Sequence, residues 1–589
     1  MRYSWKIGGP AGYGIKSAGA TFTKAFLKKG LNVFYYSEYP SLIRGGHNTV
    51  QVDISNEKIR SSSEKISFLV ALDDLTIKMD KDYLGKDGIL IYDENAIKNT
   101  KALPKKGAYG VPFSDIAKES GNLVLRNTVA LGASFAFFGC RIKELEHALE
   151  LTFGKKCEEL IAENIKAARA GYDYAKKTFE LDPVEFFDAL RPSKGKKVIT
   201  GNEATAMGAV VGGLKFLAAY PMTPSTAILQ YLAGHQRDYD LLVHQGEDEI
   251  GVIHEALGAS FAGARSMVTT SGGGFALMNE GYSLSGMTEI PLVIAEVMRP
   301  APASGLPTWT DQGDLSYVIH GGHGDFPKAV LAPGDPEEAY ELIQEALNIA
   351  ERYQMPVVFL SDKFVGESKY TILSANLREI KIKIDRGEIV TKTGKGYKRY
   401  LNTRSGISPR ALPGTEGGEH VANSDEHNPY GFSVEGFDKD RTLQMNKRAR
   451  KITALKKEMK LPKVFGPKDA DISLVSWGSN KGPIIDALES VDYKIGKGRQ
   501  PVNYIHFTHL FPLPAGVEKI LRQANRLILL ECNQSAQFGK LLAQEFGIKI
   551  KEQILKYDSR PFWPEEIVRY FNISKIDKTL KSLWKKKES

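Results

Sequence analysis

The sequence predicts an α/β protein made of three open-sheet domains, and three observations carry that expectation. Short apolar runs alternate with stretches of helical periodicity along most of the chain. Glycine-rich turns separate the two, notably at residues 8–14 and 271–274. The third observation is length, since 589 residues exceed what one hydrophobic core organises.

Residues 1–190 read as a first α/β domain. A strand at 3–7 runs into Gly-Gly-Pro-Ala-Gly-Tyr-Gly at 8–14, and a helix follows over 15–29. Glycines placed there let backbone N–H groups close on an anion with no Cβ in the way. The spacing departs from the dinucleotide pattern. A tight structural turn, or a site for another phosphate-bearing molecule, therefore stands beside dinucleotide binding. Strands are expected at 31–36, 49–54, 68–71 and 88–92, and helices over 127–138 and 142–176. The loop at 38–47 sets Tyr39 and Arg44 beside the pair Gly45 and Gly46, as ligand or interface loops do.

Pro183, Pro192 and the lysine-rich run at 193–197 make a linker. Residues 191–367 read as a second, parallel domain, with strands at 215–219, 239–243, 266–270, 292–297, 328–331 and 356–360. Residues 368–461 turn polar and read as an extended connection that ends in a basic helix over 441–459. A third α/β domain fills 462–589, with strands at 472–476, 502–506 and 526–531.

Composition excludes several function classes. Hydrophobic content of 42% and charged content of 25% are those of an ordinary soluble protein. No apolar run approaches the roughly 18–20 residues that span a bilayer, and the first residues lack the pattern of a signal peptide. The expected location is cytoplasmic, with no membrane association. Cys140, Cys157 and Cys532 are too few and too dispersed for a disulfide framework or an iron–sulfur site. No His or Cys group has metal-ligand spacing, so no metal site is expected in this chain. The net charge of +9 comes largely from lysines, with clusters at 447–460 and 578–587 expected to be solvated helix faces. Nothing resembles a nucleic-acid-binding motif.

Ligands of open parallel sheets bind beyond the carboxyl ends of the strands. In the second domain those positions carry Tyr-Pro-Met-Thr-Pro-Ser at 220–225, the acids Glu247 and Glu249, Ser-Gly-Gly-Gly at 271–274, and Arg299 with its following loop. Such a set can hold an anion and exchange a proton with a ring nitrogen, yet it offers no nucleophile of its own. An organic cofactor would supply that reactivity. The acidic cluster has a plainer reading too, as a helix start whose carboxylates favour the dipole. The helix itself is expected over 250–264, with Ile250, Ile253, Leu257 and Phe261 as its apolar stripe.

Taken in order, these strings resemble the α subunit of 2-oxoacid:ferredoxin oxidoreductases. The resemblance covers Tyr-Pro-Met-Thr-Pro-Ser, Gly-Glu-Asp-Glu at 246–249, Thr-Ser-Gly-Gly-Gly-Phe from 270, Gly-Leu-Pro-Thr at 305–308 and Gln-Gly-Asp-Leu at 312–315. It continues through Gly-Ile-Ser-Pro-Arg at 406–410, Ser-Asp-Glu-His at 424–427, Ser-Trp-Gly-Ser at 476–479 and Glu-Cys-Asn at 531–533. Residues 8–14 and 44–47 are similar to the family's γ domain, so the chain looks like the fused γ–α arrangement. The implied domains are a γ-type domain, a pyrimidine-binding-type thiamine diphosphate domain and a transketolase C-terminal-like domain.

The resemblance implies thiamine-diphosphate-dependent, coenzyme A-acylating oxidative decarboxylation of a 2-oxo acid, with 2-oxoglutarate the expected substrate and ferredoxin the electron acceptor. Glu249 matches the glutamate expected at the cofactor's aminopyrimidine N1′, with Glu247 the fallback; Ser271 and Gly272 join the cofactor site. Thr223, Arg299 and Thr308 match the substrate-binding positions. The usual Gly-Asp-Gly then Asn pattern for Mg²⁺ and diphosphate is not found: Gly313-Asp314-Leu315, Gly324-Asp325-Phe326 and Gly334-Asp335-Pro336 do not fit it. The resemblance thus implies a partner β subunit carrying the diphosphate, Mg²⁺ and [4Fe-4S] sites, in an (αβ)₂ assembly. A nucleotide-binding scaffold subunit and a transketolase-like enzyme without electron transfer are the rival readings.

Overall fold

The computed structural model describes residues 2–42, 45–154, 157–181, 195–436, 438–496 and 498–573. They form two compact units: residues 1–199 with 368–376 and 563–567, and residues 200–367 with 377–562 and 568–589.

The first unit is built on an eight-stranded sheet. Ala108–Val111, Leu84–Asp93, Ile66–Ala71 and Arg2–Ala11 run parallel. Gly45–Ser55 then pairs antiparallel with Arg2–Ala11 and with Asn32–Glu38. The strand Lys369–Leu373, from the segment expected to be a plain extended connection, adds to the Asn32–Glu38 edge with Tyr370 opposite Phe34. Helix Ile15–Lys28 lays Phe22 flat on Trp5 at 4.2 Å between ring centroids. Trp5 in turn donates its indole N–H to Ser134 on the helix Arg126–Phe137.

The glycine-rich turn opening this unit is largely filled by its own chain. A Cβ on Gly8 would strike Thr76, and one on Gly14 would strike Asn127, whose Nδ2 donates to the Gly14 carbonyl at 3.1 Å. Gly14 also holds φ +71°, a conformation that favours glycine. Arg44 of the neighbouring loop lies outside the described residues, as do most of the linker and the lysine run at 578–587. The helical stretch expected over 142–176 is two helices, Ile142–Phe153 and Glu158–Thr178, with Gly154 closing the first.

The second unit contains a seven-stranded sheet in the order His509–Phe511, Ala329–Leu331, Pro356–Asp362, Leu292–Met298, Ser266–Thr270, Phe216–Ala219 and Leu242–Gln245. All neighbours are parallel except His509–Phe511, which pairs antiparallel with Ala329–Leu331. That last strand comes from the C-terminal part of the chain. The C-terminal part has its own sheet, centred on Ile472–Trp477 between Gln500–Phe507 and Leu527–Glu531. The expected strand at 239–243 lies further along, at Leu242–Gln245, because Asp240 turns the chain with φ 49°. As an edge strand it tolerates the polar His244 and Gln245 that made the sequence signal end early.

Two readings of sequence pattern need correction. The helix Glu249–Phe261 buries Val252, Ile253, Ala256, Leu257 and Ser260, whereas Ile250 is half exposed and stands outside the stripe. The basic helix Asp438–Glu458 is not a wholly solvated face: Lys447 and Lys451 are fully buried and each places its ammonium 2.5 Å from Glu289. Its i, i+4 lysines read as surface charge because their counter-ion is far away in sequence, 158 residues from Lys447.

Candidate active site

The carboxyl ends of four neighbouring strands bring the expected residues to one edge of the seven-stranded sheet. The strand Leu242–Gln245 hands over to the helix Glu249–Phe261, whose N-cap is Asp248: its side chain accepts from the Gly251 N–H at 2.7 Å. Asp248 thus does the capping, which leaves the neighbouring acid free for another task. Glu249 is buried and its Oε1 has no hydrogen-bond partner. Burial raises its pKa above the ordinary carboxylic value, against the lowering effect of its own backbone N–H, and the Asp248 charge adds to the rise. Glu247, two residues earlier, is exposed.

The strand Ser266–Thr270 ends in Ser271 and the short helix Gly272–Leu277. Ser271 is fully buried with an unpartnered hydroxyl. The three glycines allow close approach from three sides. A Cβ on Gly274 would come within 2.7 Å of Glu249 Oε1, and one on Gly272 would strike the Asp314 carboxylate. Gly273 faces Met222 and Ala303 at about 4 Å, the loops after the flanking strands. Alanine at 272 or 274 would therefore push the carboxylates out of place.

Arg299 follows the strand Leu292–Met298 and is partly buried. Its Nη1 donates to the backbone carbonyl of Thr223 at 2.7 Å, which ties the two outer loops together. Burial lowers its pKa, opposed by the charge of Asp314. Thr223 meets Arg299 through its carbonyl, so its hydroxyl is not spent on that contact. Asn202 braces the same loop by donating to the Pro224 carbonyl at 2.9 Å. Thr308 is buried on the loop after Arg299, while residues 301–306 of that loop are exposed.

Gln312 joins three motif strings that are distant in sequence. It donates to the Trp477 carbonyl at 3.0 Å, and its Oε1 accepts from Asn480 at 2.8 Å and from the Cys532 N–H at 3.0 Å. Its backbone carbonyl accepts from Asn533 at 3.1 Å. One buried side chain thereby fastens the site loop to the C-terminal sheet. Those strings hold the loop in place.

Residues 207–446 match the family described as pyruvate flavodoxin/ferredoxin oxidoreductase, thiamine diphosphate-binding, and residues 4–174 match pyruvate ferredoxin/flavodoxin oxidoreductase. The chain is 31% identical over 628 residues to the 2-oxoacid:ferredoxin oxidoreductase subunit alpha of a Sulfolobus species, with 96% of each covered. The chain belongs to the 2-oxoacid:ferredoxin oxidoreductase family. It is also 30% identical to the 2-oxoglutarate oxidoreductase subunit KorA of Mycobacterium tuberculosis, over 96% of this chain and 90% of that one. Its fold is similar to the solved 2-oxoglutarate:ferredoxin oxidoreductase from Magnetococcus marinus, at TM-score 0.88 and 32% identity, covering 97% of this chain and 98% of that one.

As a 2-oxoacid:ferredoxin oxidoreductase subunit, the chain is part of an oxidoreductase. Among the described residues, no helix is long and apolar enough to cross a membrane and no group of His, Cys, Asp and Glu is arranged to hold a metal ion. The unpartnered Glu249 oxygen and Ser271 hydroxyl fit an absent polar ligand, since buried polar atoms are nearly always paired. Two carboxylates at this edge escaped the sequence reading. Glu296 sits in a run that reads as an apolar strand, yet it is the single acid in Leu-Val-Ile-Ala-Glu-Val-Met and is fully buried. Asp314 figures in the sequence only within Gln-Gly-Asp-Leu and as a Gly-Asp string that does not fit the metal pattern, yet it is buried against Gly272.

Proposed function

We propose that this chain is the γ–α subunit of an enzyme that oxidatively decarboxylates 2-oxoglutarate to an acyl-coenzyme A. Electrons pass to ferredoxin through a partner's clusters. The observation that carries the reading is the buried Glu249 carboxyl, whose Oε1 has no partner, at the strand-end edge where Arg299 stands. Thiamine diphosphate, when bound, supplies the carbanion that attacks the keto carbon of the substrate. Glu249 holds a proton at the aminopyrimidine N1′, and burial that favours its neutral form suits it to exchange that proton near neutral pH. Glu247, being exposed, is the weaker candidate for the same task. Ser271 and Gly272 line the cofactor's side of the cleft.

Arg299 receives the carboxylate next to the keto group, because a guanidinium fork fits both oxygens of a planar anion. Its anchor on the Thr223 carbonyl fixes the fork, and the Thr223 and Thr308 hydroxyls serve as nearby donors. Mg²⁺, the diphosphate site and a [4Fe-4S] cluster are assigned to a partner β subunit, in an (αβ)₂ assembly, as the family resemblance implies. Coenzyme A is the co-substrate. The names of the Mycobacterium and Magnetococcus relatives support 2-oxoglutarate over other 2-oxo acids. The test is ferredoxin reduction by the assembled enzyme with each 2-oxo acid: kcat/KM should be highest for 2-oxoglutarate, and a preference for pyruvate overturns the substrate choice.

A further inference from the structure

Behind Arg299 lies a pair of acids that the reaction as described above does not use. Glu296 is at the carboxyl end of Leu292–Met298, opposite Thr270 in the neighbouring strand, with its side chain wholly removed from solvent. Asp314 comes from the N-cap of the helix Leu315–His320 and is buried as well. Read as two carboxylates, both oxygens of Glu296 and Oδ2 of Asp314 have no donor. Two buried anions side by side cannot both stay ionised, and one proton between them supplies the missing hydrogen bond. Burial and the pairing accordingly push Glu296 well up, and burial raises Asp314 while Arg299 pulls it down.

The other titratable groups that face the pair are few. Tyr282, on the helix Asn279–Thr288, feels the Glu296 charge but spends its hydroxyl as donor to the Val318 carbonyl at 3.1 Å. Asp311 feels Asp314 from the same loop, and burial pushes it up to about 7. Arg299 is the cation. With one proton on the pair, the pair and Arg299 sum to zero charge. A substrate carboxylate on Arg299 adds a second anion beside Asp314, and a second proton on the pair restores neutrality.

We propose that Glu296 and Asp314 are positioning residues that take up a proton when a 2-oxo acid docks its carboxylate on Arg299, so that substrate affinity is coupled to pH. No bond to the substrate forms or breaks in this step. The proton comes from solvent and leaves when the substrate carboxylate does. The inference rests on the assignment of Arg299 to that carboxylate.

The experiment is the pH profile of KM for 2-oxoglutarate in the assembled enzyme between pH 6 and 9, a range in which the substrate's own carboxylates do not titrate. Wild-type KM should rise with pH, by up to about tenfold per pH unit for one coupled proton. Glu296→Gln keeps a donor toward Asp314 but leaves one carboxyl that can still take up the proton, so its KM should rise with pH as in the wild type. Asp314→Asn leaves a neutral pair, so its KM should be flat at the tight, low-pH value. A merely structural role would lower stability or kcat in both without flattening the KM profile of Asp314→Asn. A wild-type-like slope in Asp314→Asn overturns the inference while Arg299→Lys still raises KM; an unchanged KM in Arg299→Lys overturns the carboxylate assignment and the inference with it. If Glu296→Gln fails to assemble, the flat, tight profile of Asp314→Asn decides alone.

Discussion

Arg299 donates its Nη1 to the carbonyl oxygen of Thr223 at 2.7 Å, across 76 residues of sequence. The bond fixes a guanidinium at the carboxyl-end edge of the sheet, where the charge of Asp314 acts on it. It also means that the arginine is held by the backbone of the 220–225 loop.

Replacing Arg299 by lysine keeps the charge but removes the fork. Loss of a charge-assisted hydrogen bond costs about 1.5–3 kcal/mol. KM for the 2-oxo acid should therefore rise roughly ten- to hundredfold. Thiamine diphosphate affinity should change little. Steady-state kinetics paired with a cofactor titration checks both; an unchanged KM with lowered stability would leave Arg299 a purely structural tie.

The chain purified without its partner should be colourless and without turnover. Cys140 and Cys532 are buried and Cys157 is exposed on its own, a distribution that cannot ligate a cluster. Burial also pushes the Cys532 thiol well up, away from the thiolate a metal needs. Absorbance near 400 nm in the single chain, a rough expectation for cysteine-ligated iron–sulfur, would contradict this.

Much of the site was legible because strand ends in a parallel sheet are positions that alternation alone reveals. Ser266–Thr270 falls where the pattern of β-branched and apolar residues put it. What the pattern missed has physical causes. The edge strand Leu242–Gln245 carries polar residues that an interior strand would refuse. Glu296 hid in an apolar run because its partner acid lies beyond the next loop, and period-two reasoning has no term for a shared proton. Lys447 and Lys451 looked like surface charge because only the fold brings Glu289 to them.

That buried trio makes a stability prediction. Glu289→Gln leaves two enclosed ammonium groups without their counter-charge, at a cost of about 3–5 kcal/mol. Lys451 is lowered from about 10.5 to about 7, chiefly by burial. The unfolded chain thus binds more protons than the folded one between those two values, so folding gains stability as pH rises from 7 toward 10. Below pH 7 both states carry the proton and the gain is absent. The stability of the wild type relative to Lys451→Met, followed by denaturant unfolding of the chain, should climb across that window; a flat difference would mean that the ammonium stays charged in the fold.

The last prediction concerns Glu249 and separates it from Glu247. Thiamine diphosphate held at this edge would need a proton donor at its N1′, and that is the role proposed for Glu249. Glu249 meets the requirement through burial, a raised pKa and an unpartnered oxygen beside Gly274, whereas Asp248 takes the helix-capping role that would otherwise hold Glu249 as an anion. Glu249→Gln keeps the shape and a hydrogen bond but cannot exchange the proton. Its kcat should fall by roughly 10²–10⁴, the range for losing a general acid–base group, with assembly intact. Glu247 is exposed, so Glu247→Gln should leave kcat near the wild type. The deciding measurement is C2–H exchange of the bound cofactor in the assembled enzyme. Slow exchange in Glu249→Gln alone supports the assignment; slow exchange in Glu247→Gln alone moves the role two residues back. Normal exchange in both would return the cluster to capping the helix, because a carboxyl that does not govern the cofactor's proton has no other task at this edge than to favour the dipole behind it.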